Sequence, residues 1–375
     1  MRLLLVEPYF GGSHAAWAEG YAQASAHDVD LLTLPARFWK WRMRGAALTL
    51  ADHALELVTE RGRPDVVLAS DMLDLPTFLG LTRHFIGRPA VALYMHENQI
   101  TYPPPPGAST DHSYGFTNWL SAAVADLVLF NSPYHLEEFF LVLPGLLGSL
   151  PDFTHVKAIP AVRARSEVLP VGIDLDRLLE RPGLDGPPVV LWNQRWEYDK
   201  NPEAFFRALD RLVDQGLEFR VILAGENFRN MPQEFVDAQR RLGNRLLHQG
   251  FSPADRYVEL LARSDVVVST AHHEFFGVAV VEAIAAGAFP ILPRRLSYPG
   301  LIPSEYHQDC LYDDDQGLVD RLRWALTHRS EVGSMALELA TAMSAYGWIS
   351  LAVRYDERLA RLARVVSADR SECAT

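Results

Sequence analysis

Residues 265–282 read DVVVSTAHHEFFGVAVVE, and this stretch decides the fold class. Three consecutive valines make residues 265–269 typical of a buried strand in a parallel sheet. A short polar loop follows, and residues 278–286 have the composition and length of a buried helix. A strand that leads through a loop into a covering helix is the repeating unit of α/β proteins. The stretch therefore predicts an α/β fold.

The same alternation runs along most of the chain. Strands are predicted at residues 3–6, 65–69, 90–95, 127–130, 168–170, 189–192, 219–224, 265–269 and 289–292. Helices are predicted at residues 13–26, 76–85, 114–125, 133–143, 202–215, 232–242, 253–263 and 278–286. The polar segment 182–188 interrupts the pattern, so we predict two Rossmann-like domains that face a central cleft.

The interruption also sets the expected domain boundaries. We expect an N-terminal domain over residues 1–172, a C-terminal domain over 173–345, and a C-terminal helix and tail over 346–375. Residues 318–366 read as helical and rich in arginine. The pattern allows the C-terminal helices to pack back on the N-terminal domain.

The composition is that of an acidic globular protein. The 375 residues include 47 acidic and 35 basic side chains, a formal net charge of −12, and 49% are hydrophobic, which excludes a disordered chain. Cys310 and Cys373 are too few for a disulfide scaffold or a cysteine-rich zinc site. Neither a secretion signal nor about 20 uninterrupted apolar residues are visible. We expect a cytoplasmic protein.

Two carboxylates, Glu274 and Glu282, flank the helix start that follows Gly277. The amino end of a helix holds anions through its unpaired N–H groups and its partial positive charge. Carboxylates beside an anion site suit a nucleotide sugar, with Glu282 accepting hydrogen bonds from the ribose and Glu274 from the sugar. Two glutamates at this spacing also arise by chance, so a second motif is needed to support a nucleotide-sugar site.

Arg195 and Lys200 supply that motif on the loop after the predicted strand 189–192. Preorganised cations at this place would neutralise the charge that builds on a leaving diphosphate. At three further candidates, Gly225, Gly250 and Phe251, we expect the backbone to approach a nucleotide closely. The alternatives are a solvated loop lysine and glycines that serve only as turn residues.

Two polar segments mark the N-terminal half. Gly12 and His14 lie in GGSH, between the first predicted strand and its helix, where glycine permits close approach of a phosphate or sugar. The three-glycine dinucleotide fingerprint is incomplete there. The second segment follows the strand 90–95 and consists of His96, Glu97, Asn98 and Gln99. Ligands of open α/β sheets bind off this edge, so we interpret His96 as a catalytic-site residue, with a structural histidine as the alternative.

Cations and aromatic rings alternate between residues 37 and 44. The segment contains Arg37, Phe38, Trp39, Lys40, Trp41, Arg42 and Arg44. Cations suit phosphates and planar rings suit unstacked bases, so the segment fits an RNA loop. The net charge of −12 argues against a broadly basic RNA-binding surface, which leaves a local patch. The alternative is that the tryptophans lie in the core and the cations form a solvated rim.

Taken together, these residues resemble the retaining GT-B glycosyltransferases, which include glycogen synthases and phosphatidylinositol mannosyltransferases. The resemblance implies front-side displacement without a metal or cofactor, assisted by the leaving phosphate. The catalytic residues that it implies are His96, Arg195, Lys200 and Glu274. The donor site that it implies comprises Gly12, Arg195, Lys200, Gly225, Gly250, Phe251, Glu274, Gly277 and Glu282. The aspartates of residues 28–30 and 174–176 superficially match the metal motif of the other transferase fold, and we interpret them as turn residues.

Three motifs point to one family within this group. They are EPYFGGSH (7–14), LPARFWKWR (34–42) and YMHENQ (94–99), and they look like those of the tRNA-queuosine mannosyltransferases. This resemblance implies transfer of α-mannose from GDP-mannose to the cyclopentene diol of queuosine, at the wobble position of tRNA-Asp. The N-terminal domain would then bind the tRNA and the C-terminal domain the donor. The implied acceptor site comprises His14, Arg37, Trp39, Lys40, Trp41, Arg42, Arg44, Glu97, Asn98 and Gln99.

Two other interpretations stay open at this point. A GT-B enzyme with a lipid or glycan acceptor would use residues 139–150 as a membrane-touching surface, although Glu137 and Glu138 precede them where such a helix is normally basic. A nucleotide-sugar-binding protein without activity would have no chemical need for the full set of charged donor-site residues. The residues alone leave the base, the sugar, the tRNA and the oligomeric state open.

Overall fold

The computed structural model describes residues 1–104, 107, 109–179, 181, 186–225 and 233–372. The chain forms two compact units: Met1–Ile173 with Trp348–Thr375 (unit 1), and Asp174–Gly347 (unit 2). Each unit is built on one six-stranded parallel sheet. The predicted α/β class with two Rossmann-like domains is therefore confirmed, and the central cleft stays a prediction.

The sheet of unit 1 is buried in the middle of that unit. Its strands are β1 (Arg2–Phe10), β2 (Asp28–Pro35), β3 (Val66–Ser70), β4 (Ala90–Met95), β5 (Leu127–Phe130) and β6 (Ser166–Val168), in the spatial order β2-β1-β3-β4-β5-β6. Strands β3, β4 and β5 are buried along their whole length, as expected where helices cover both faces. The strand order reverses between β1 and β3, and such switch points bind ligands at the carboxyl ends of the strands.

The first six helices connect and cover these strands. They are α1 (Gly12–Ala24), α2 (Trp39–Arg61), α3 (Leu75–Thr82), α4 (His112–Val124), α5 (Pro133–Gly148) and α6 (Ile159–Arg163). Local sequence explains where two of them begin. Asp74 accepts a hydrogen bond from the N–H of Thr77 at the start of α3, and Ser132 caps α5 in the same way, with Pro133 in its first turn.

Unit 2 repeats the architecture with a different strand order. Its strands are β7 (Val189–Trp192), β8 (Arg220–Ala224), β9 (Leu246–Gly250), β10 (Val266–Val268), β11 (Phe289–Pro293) and β12 (Leu311–Tyr312), in the order β12-β11-β10-β7-β8-β9. This is the order of nucleotide-binding Rossmann sheets, and its switch point lies between β7 and β10.

Helices on both faces of this sheet complete unit 2. They are α7 (Pro202–Asp214), α8 (Gln233–Leu242), α9 (Ala254–Ala262), α10 (Val278–Ala285), α11 (Tyr298–Leu301), α12 (His307–Cys310), α13 (Asp315–Thr327) and α14 (Arg329–Met343). Helix α7 shows why the sequence folds in this way. Asn201 caps it, Pro202 occupies its first position, and its apolar stripe buries Phe205 and Leu209.

The last helix, α15 (Trp348–Glu372), returns to unit 1 and packs against α1 and β4. Asp356 accepts hydrogen bonds from the Tyr21 hydroxyl at 2.9 Å and the Ser25 hydroxyl at 2.6 Å. Trp17 Nε1 donates to the Tyr355 hydroxyl at 3.2 Å. These bonds anchor the last helix to the first. The expected packing on the N-terminal domain holds for this helix, whereas α13 and α14 belong to unit 2.

The prediction missed β2, β9 and β12, and the reason is clearest for β2. Asp28 and Asp30, interpreted as turn residues, lie within this strand, so that interpretation is wrong. Arg61 pairs with both carboxylates, and these ion pairs compensate charges that the alternating sequence DVDLLTLP places on a strand. In the second pair, Asp174 precedes the short turn Leu175–Arg177 and Asp176 lies within it, as interpreted.

Helix α5 contains the segment that the lipid-acceptor alternative required. It continues through Pro144, where the sequence predicted an end, and buries Phe139, Leu143 and Leu147 in the core of unit 1. Leu141 is the large side chain of this stretch that stays exposed, and one exposed leucine makes no membrane surface. The proposed membrane-touching role of residues 139–150 is therefore wrong. Within the described ranges, no helix is both long and apolar enough to span a bilayer.

Candidate active site

Lys200 lies at the switch point of unit 2. It ends a short turn after β7, and Glu274 follows β10, the strand that pairs with β7. The lysine is only 6% exposed. Its Nζ donates to the His273 carbonyl oxygen at 2.8 Å and lies 3.2 Å from both Glu274 Oε2 and Asp199 Oδ2. Two carboxylates and a carbonyl thus hold a buried ammonium group.

The charges in this group of residues support one another. Burial alone would lower the pKa of Lys200, but Glu274 and Asp199 outweigh it and raise that pKa. Burial would raise the pKa of Glu274, and the Lys200 ammonium outweighs it and lowers that pKa. Burial and Lys200 together lower the pKa of His273 to about 4. At neutral pH the lysine and Glu274 are charged and His273 is neutral.

Glu282 belongs to a second hydrogen-bond chain, in α10. The Tyr257 hydroxyl donates to Glu282 Oε2 at 3.1 Å, and Asn193 Nδ2 donates to that hydroxyl at 3.0 Å. Burial raises the pKa of Glu282 to about 7, although the Tyr257 hydrogen bond opposes the shift. The carboxyl of Glu282 therefore changes its charge near neutral pH. Its Oε1 accepts no hydrogen bond from the described residues, so it is available to a ligand.

Gly277 sets the start of α10. Its φ of +96° lies in the left-handed region, and a Cβ there would lie 3.3 Å from the Tyr298 ring and 3.6 Å from Glu274 Cγ. No side chain caps the helix, so its amino end is open to an anion. The glycine thus keeps this helix end close to Glu274.

Gly225 and Gly250 come together at the ends of β8 and β9. The N–H of Gly225 donates to the Gly250 carbonyl oxygen at 3.1 Å. A Cβ on Gly225 would lie 2.1 Å from the Gln194 carbonyl oxygen, so only glycine fits. Gly250 has a φ of +122°, which also favours glycine. Gly225 is therefore more than a simple turn glycine, because the close approach of the Gln194 backbone leaves no room for a side chain.

Two predicted donor-site residues are exposed. The Arg195 side chain is 47% exposed, and its Nη1 lies 3.6 Å from Glu197 Oε2. Phe251 is 65% exposed. An exposed guanidinium that follows the same strand as Lys200 has room to reorient on a ligand.

Unit 1 carries a polar cluster at its own switch point, made of Glu7, His14, Asp71, His96 and Glu97. Glu7 lies in β1 and is fully buried, Asp71 follows β3, and His96 follows β4. His14 Nδ1 donates to Glu7 Oε2 at 3.0 Å, and the His14 and His96 ring centroids are 4.2 Å apart. The backbone N–H of His96 donates to Asp71 Oδ1 at 2.7 Å.

Burial and neighbouring charges set the protonation of this polar cluster. Burial opposes a charge on His14, but Glu7 and the other carboxylates outweigh it and raise the pKa of His14 to about 9. Burial, aided by His14, lowers the pKa of His96 well below its usual value. Burial raises the pKa of Asp71 well above its usual value, and Glu97 adds to the shift. At neutral pH His14 is an imidazolium and His96 is neutral.

The predicted acceptor residues Asn98 and Gln99 are buried and fix the loop after β4. Asn98 Oδ1 accepts hydrogen bonds from two backbone N–H groups of the same loop, both at 3.0 Å. Gln99 donates its N–H to Asn118 Oδ1 at 2.8 Å and its side-chain amide to Glu97 Oε1 at 2.7 Å. These bonds hold His96 and Glu97 in place.

The segment 37–44 lies at the start of α2 and faces solvent. Trp39 is 36% exposed and Trp41 is 62% exposed, so the interpretation of the tryptophans as core residues is wrong, and Phe38 is exposed as well. Phe38 also has a φ of +52°, a strained conformation for an aromatic residue. Arg37, Lys40 and Arg44 are exposed as well.

Two of the arginines make hydrogen bonds within unit 1. Arg42 donates to the Pro35 carbonyl oxygen at 3.2 and 3.1 Å, and Arg44 donates to Ser113. Aromatic packing continues from this segment towards the polar cluster. Trp39 contacts Tyr114, which packs with Met43, Met72 and Tyr9, and the Tyr9 ring lies 6.0 Å from that of His14.

Gly12 opens α1 with a φ of +54° and has open space around it. Its neighbour Gly11 is sterically required, because a Cβ there would lie 2.5 Å from the Ala36 Cβ. Neither residue offers a side-chain cap, so the amino end of α1 is open, as the sequence predicted for a phosphate or sugar.

Comparison with known proteins identifies the family. Residues 2–173 match the family model described as tRNA-queuosine alpha-mannosyltransferase N-terminal, and residues 177–347 match that of glycosyl transferases group 1. The tRNA-queuosine alpha-mannosyltransferase of Drosophila melanogaster is 33% identical over 336 residues, which are 85% of each chain. The chain belongs to the tRNA-queuosine alpha-mannosyltransferase family. It is a hexosyltransferase.

More distant relatives agree with this family and with the GT-B fold. A glycogen synthase of Mycobacterium tuberculosis is 28% identical over 321 residues, 81% of this chain and 70% of that protein. Sucrose-phosphate synthase from Thermosynechococcus elongatus superposes with a TM-score of 0.74 at 14% identity, covering 97% of this chain and 100% of that one. At this identity the likeness shows the fold alone.

Several residues around the two switch points of this mannosyltransferase-family chain were absent from the predicted site. They are Glu7, Asp71, Asn193, Asp199 and Tyr257. Two of them had a signal in the sequence. Glu7 interrupts the apolar run of β1, and Asp71 ends the apolar run of β3, where a carboxylate needs a partner or a function. Tyr257 becomes visible only when separate elements pack together, whereas Asp199 precedes Lys200 directly and lies in the same short turn.

Geometry alone would permit a metal in the polar cluster. Glu7, His14 and His96 each offer one ligand atom, and these atoms lie within 4.8 Å of one another. A protonated His14 that already donates to Glu7 is a poor ligand, because metals bind the neutral imidazole. The expectation of metal-free chemistry stays a prediction.

Proposed function

We propose that this enzyme transfers α-mannose from GDP-mannose to the cyclopentene diol of queuosine, at the wobble position of tRNA-Asp. Its family supports the reaction, and the Lys200 ammonium between Glu274 and Asp199 is the structural observation that supports the donor site. Burial of a charge costs free energy unless partners or a ligand compensate it. A binding protein without activity would have no reason to keep this arrangement.

We infer that unit 2 binds the donor. Lys200 and Arg195 would grip the diphosphate, one as a fixed buried cation and the other as an exposed guanidinium that reorients on the ligand. The amino end of α10 at Gly277 would receive a phosphate oxygen. Glu282 would accept hydrogen bonds from the ribose and Glu274 from the mannose. Gly225 and Gly250 of unit 2 would fit against the nucleotide, beside Phe251. Gly12 stays a predicted donor-site residue.

The proposed chemistry is a front-side displacement with retention. The bond between mannose C1 and the diphosphate oxygen breaks while the acceptor hydroxyl attacks C1 from the same face. The hydroxyl proton passes to the leaving diphosphate oxygen, so no separate base is needed. Lys200 and Arg195 stabilise the charge that develops on this oxygen, which is a task for preorganised cations rather than for a metal. His96 of unit 1 stays a predicted catalytic residue, and burial keeps it neutral at working pH.

We infer that unit 1 binds the tRNA in the cytoplasm. The exposed rings of Phe38, Trp39 and Trp41 would stack on bases of the anticodon loop, and Arg37 and Lys40 would contact its phosphates. The polar cluster would receive the modified base. Arg42, Arg44, Asn98 and Gln99 would support these surfaces through the bonds described above rather than act as free contacts.

A transfer assay tests the proposal. Labelled GDP-mannose is incubated with the enzyme and with tRNA from cells that contain or lack queuosine. Label is expected only in queuosine-containing tRNA, and fractionation should place it in tRNA-Asp. GDP-glucose and UDP-mannose serve as donor controls. Equal labelling of both tRNA samples, or none in either, would refute the acceptor assignment.

A further inference from the structure

The polar cluster contains a buried carboxyl with an unused oxygen. Asp71 is fully buried, and its Oδ1 accepts from the His96 N–H at 2.7 Å. Its Oδ2 is also buried and has no hydrogen-bond partner among the residues that the structure describes. The side-chain amide nitrogen of Asn98 is buried as well, and none of the described residues accepts a hydrogen bond from it. Buried polar atoms are almost always paired, so these two indicate a missing ligand.

The charge balance shows what kind of ligand is missing. His14 and Glu7 compensate each other at 3.0 Å, so the nearest cation is already committed. Burial raises the pKa of Asp71, the His14 charge opposes the rise, and the carboxyl of Glu97 adds to it. A fully buried carboxyl whose second oxygen has no donor among the described residues favours a ligand with a positive charge and hydrogen-bond donors.

The acceptor of the proposed reaction has this chemistry. In queuosine a secondary amine joins the cyclopentene diol to the base, and aliphatic amines carry a proton at neutral pH. We propose that Asp71 binds this protonated amine through Oδ2, while His14 and Asn98 hydrogen-bond to the two hydroxyls of the diol. The assignment rests on the proposed function and adds the group that distinguishes queuosine from unmodified guanosine.

A metal ion is the competing occupant, and the geometry disfavours it. The three atoms suited to a metal belong to Glu7, His14 and His96, and the first two are engaged with each other. Asp71 Oδ2, the atom without a partner, is not part of that set. An ammonium group at Asp71 satisfies this oxygen and leaves the Glu7–His14 pair intact, whereas a metal has to break the pair.

Binding without donor tests the proposal directly. The dissociation constants of wild-type enzyme for queuosine-containing and queuosine-free tRNA are compared with those of Asp71→Asn, which keeps the Oδ1 acceptor but cannot ionise to pair with the amine. We expect wild type to prefer the modified tRNA by about tenfold or more, and Asp71→Asn to lose most of this preference while His14 and Asn98 still contact the diol. Asp52→Asn, an exposed site on α2, is the matched control and should keep the preference. An unchanged preference in Asp71→Asn overturns the proposal.

A second measurement needs no variant and covers the case in which Asp71→Asn fails to fold. Free queuosine nucleoside and its N-acetylated form, which has lost the positive charge, compete with modified tRNA for wild-type enzyme. Queuosine should compete at least about tenfold better. Equal competition overturns the amine site even where mannose transfer is intact. Absence of mannose transfer by wild type defeats the proposed function instead. Stoichiometric metal that is lost in His96→Ala assigns the cluster to a metal and also overturns the proposal.

Discussion

Lys200 Nζ and Glu274 Oε2 lie 3.2 Å apart although 74 positions separate the two residues in the chain. The contact exists because β7 and β10 are neighbours at the switch point of unit 2, so the loops after both strands end at one place. The pair raises the pKa of the lysine and lowers that of the glutamate, which keeps both charged in a buried environment. A donor diphosphate would therefore meet a lysine that is always protonated.

Replacement of this lysine should abolish transfer. We expect Lys200→Ala to lower kcat at least about a hundredfold, because the leaving diphosphate loses a preorganised cation. Lys157→Ala, which removes an exposed lysine of unit 1, is the matched control and should stay near wild type. Initial rates of mannose transfer measure both variants, with thermal unfolding as a check on the fold. Wild-type turnover in Lys200→Ala would contradict the donor-site assignment.

Donor affinity should depend on pH through Glu282. Its pKa is about 7, raised by burial, so the carboxylate is present above this pH and is protonated below it. A carboxylate accepts two ribose hydrogen bonds better than a carboxylic acid, so the KM for the donor should rise as the pH falls from about 8 to about 6. Glu282→Gln should show a high KM with no dependence in this range. Steady-state kinetics over this range measures the effect.

Tyr257 gives a second test of the same titration. Its hydroxyl donates to Glu282 and opposes the rise of the glutamate pKa. Tyr257→Phe should therefore move the pH midpoint of donor binding upward, while the KM well above the midpoint stays close to wild type. A midpoint that does not move in Tyr257→Phe would show that another group titrates.

The fold and most of the charged site residues were predictable from the sequence, but the side chains that pair with them were not. Strands such as β4, apolar along their whole length, were predictable because burial on both faces demands apolar residues everywhere. Strand β2 was not, because its aspartates depend on Arg61, which lies at the far end of α2. In the site, Lys200 was found from its loop, and its partner Asp199 is the preceding residue of the same turn. The contact of Tyr257 with Glu282, by contrast, depends on the packing of α9 against α10.

The Glu7–His14 pair should stabilise unit 1 in a pH-dependent way. The pKa of His14 is about 9 in the folded protein and 6.5 as the ordinary value. Because the folded value is the higher one, the stabilisation is fully present below pH 6.5 and is lost as the pH rises through 9. Glu7→Gln should lower the free energy of unfolding by about 3 kcal/mol at about pH 6, and by much less at about pH 10. Urea unfolding measures this difference.

A surface glutamate provides the comparison for that experiment. Glu60→Gln changes the net charge by the same amount on the exposed face of α2, so it should have little effect at either pH. An NMR titration of His14 would report the same coupling without denaturant, with its pKa falling in Glu7→Gln. Equal destabilisation of Glu7→Gln at both pH values would mean that the loss is one of packing rather than of charge.

The exposed segment at the start of α2 should control tRNA affinity but not donor affinity. Lys40 and Trp41 are exposed, whereas Arg42 holds Pro35 and so also serves the fold. Lys40→Ala with Trp41→Ala should weaken tRNA binding by about 2 kcal/mol or more, because a phosphate contact and a stacking ring are lost. The slope of log affinity against log salt should fall by about one, as expected for one lost phosphate contact. GDP binding should be unchanged, and equal loss of both ligands would indicate a folding defect.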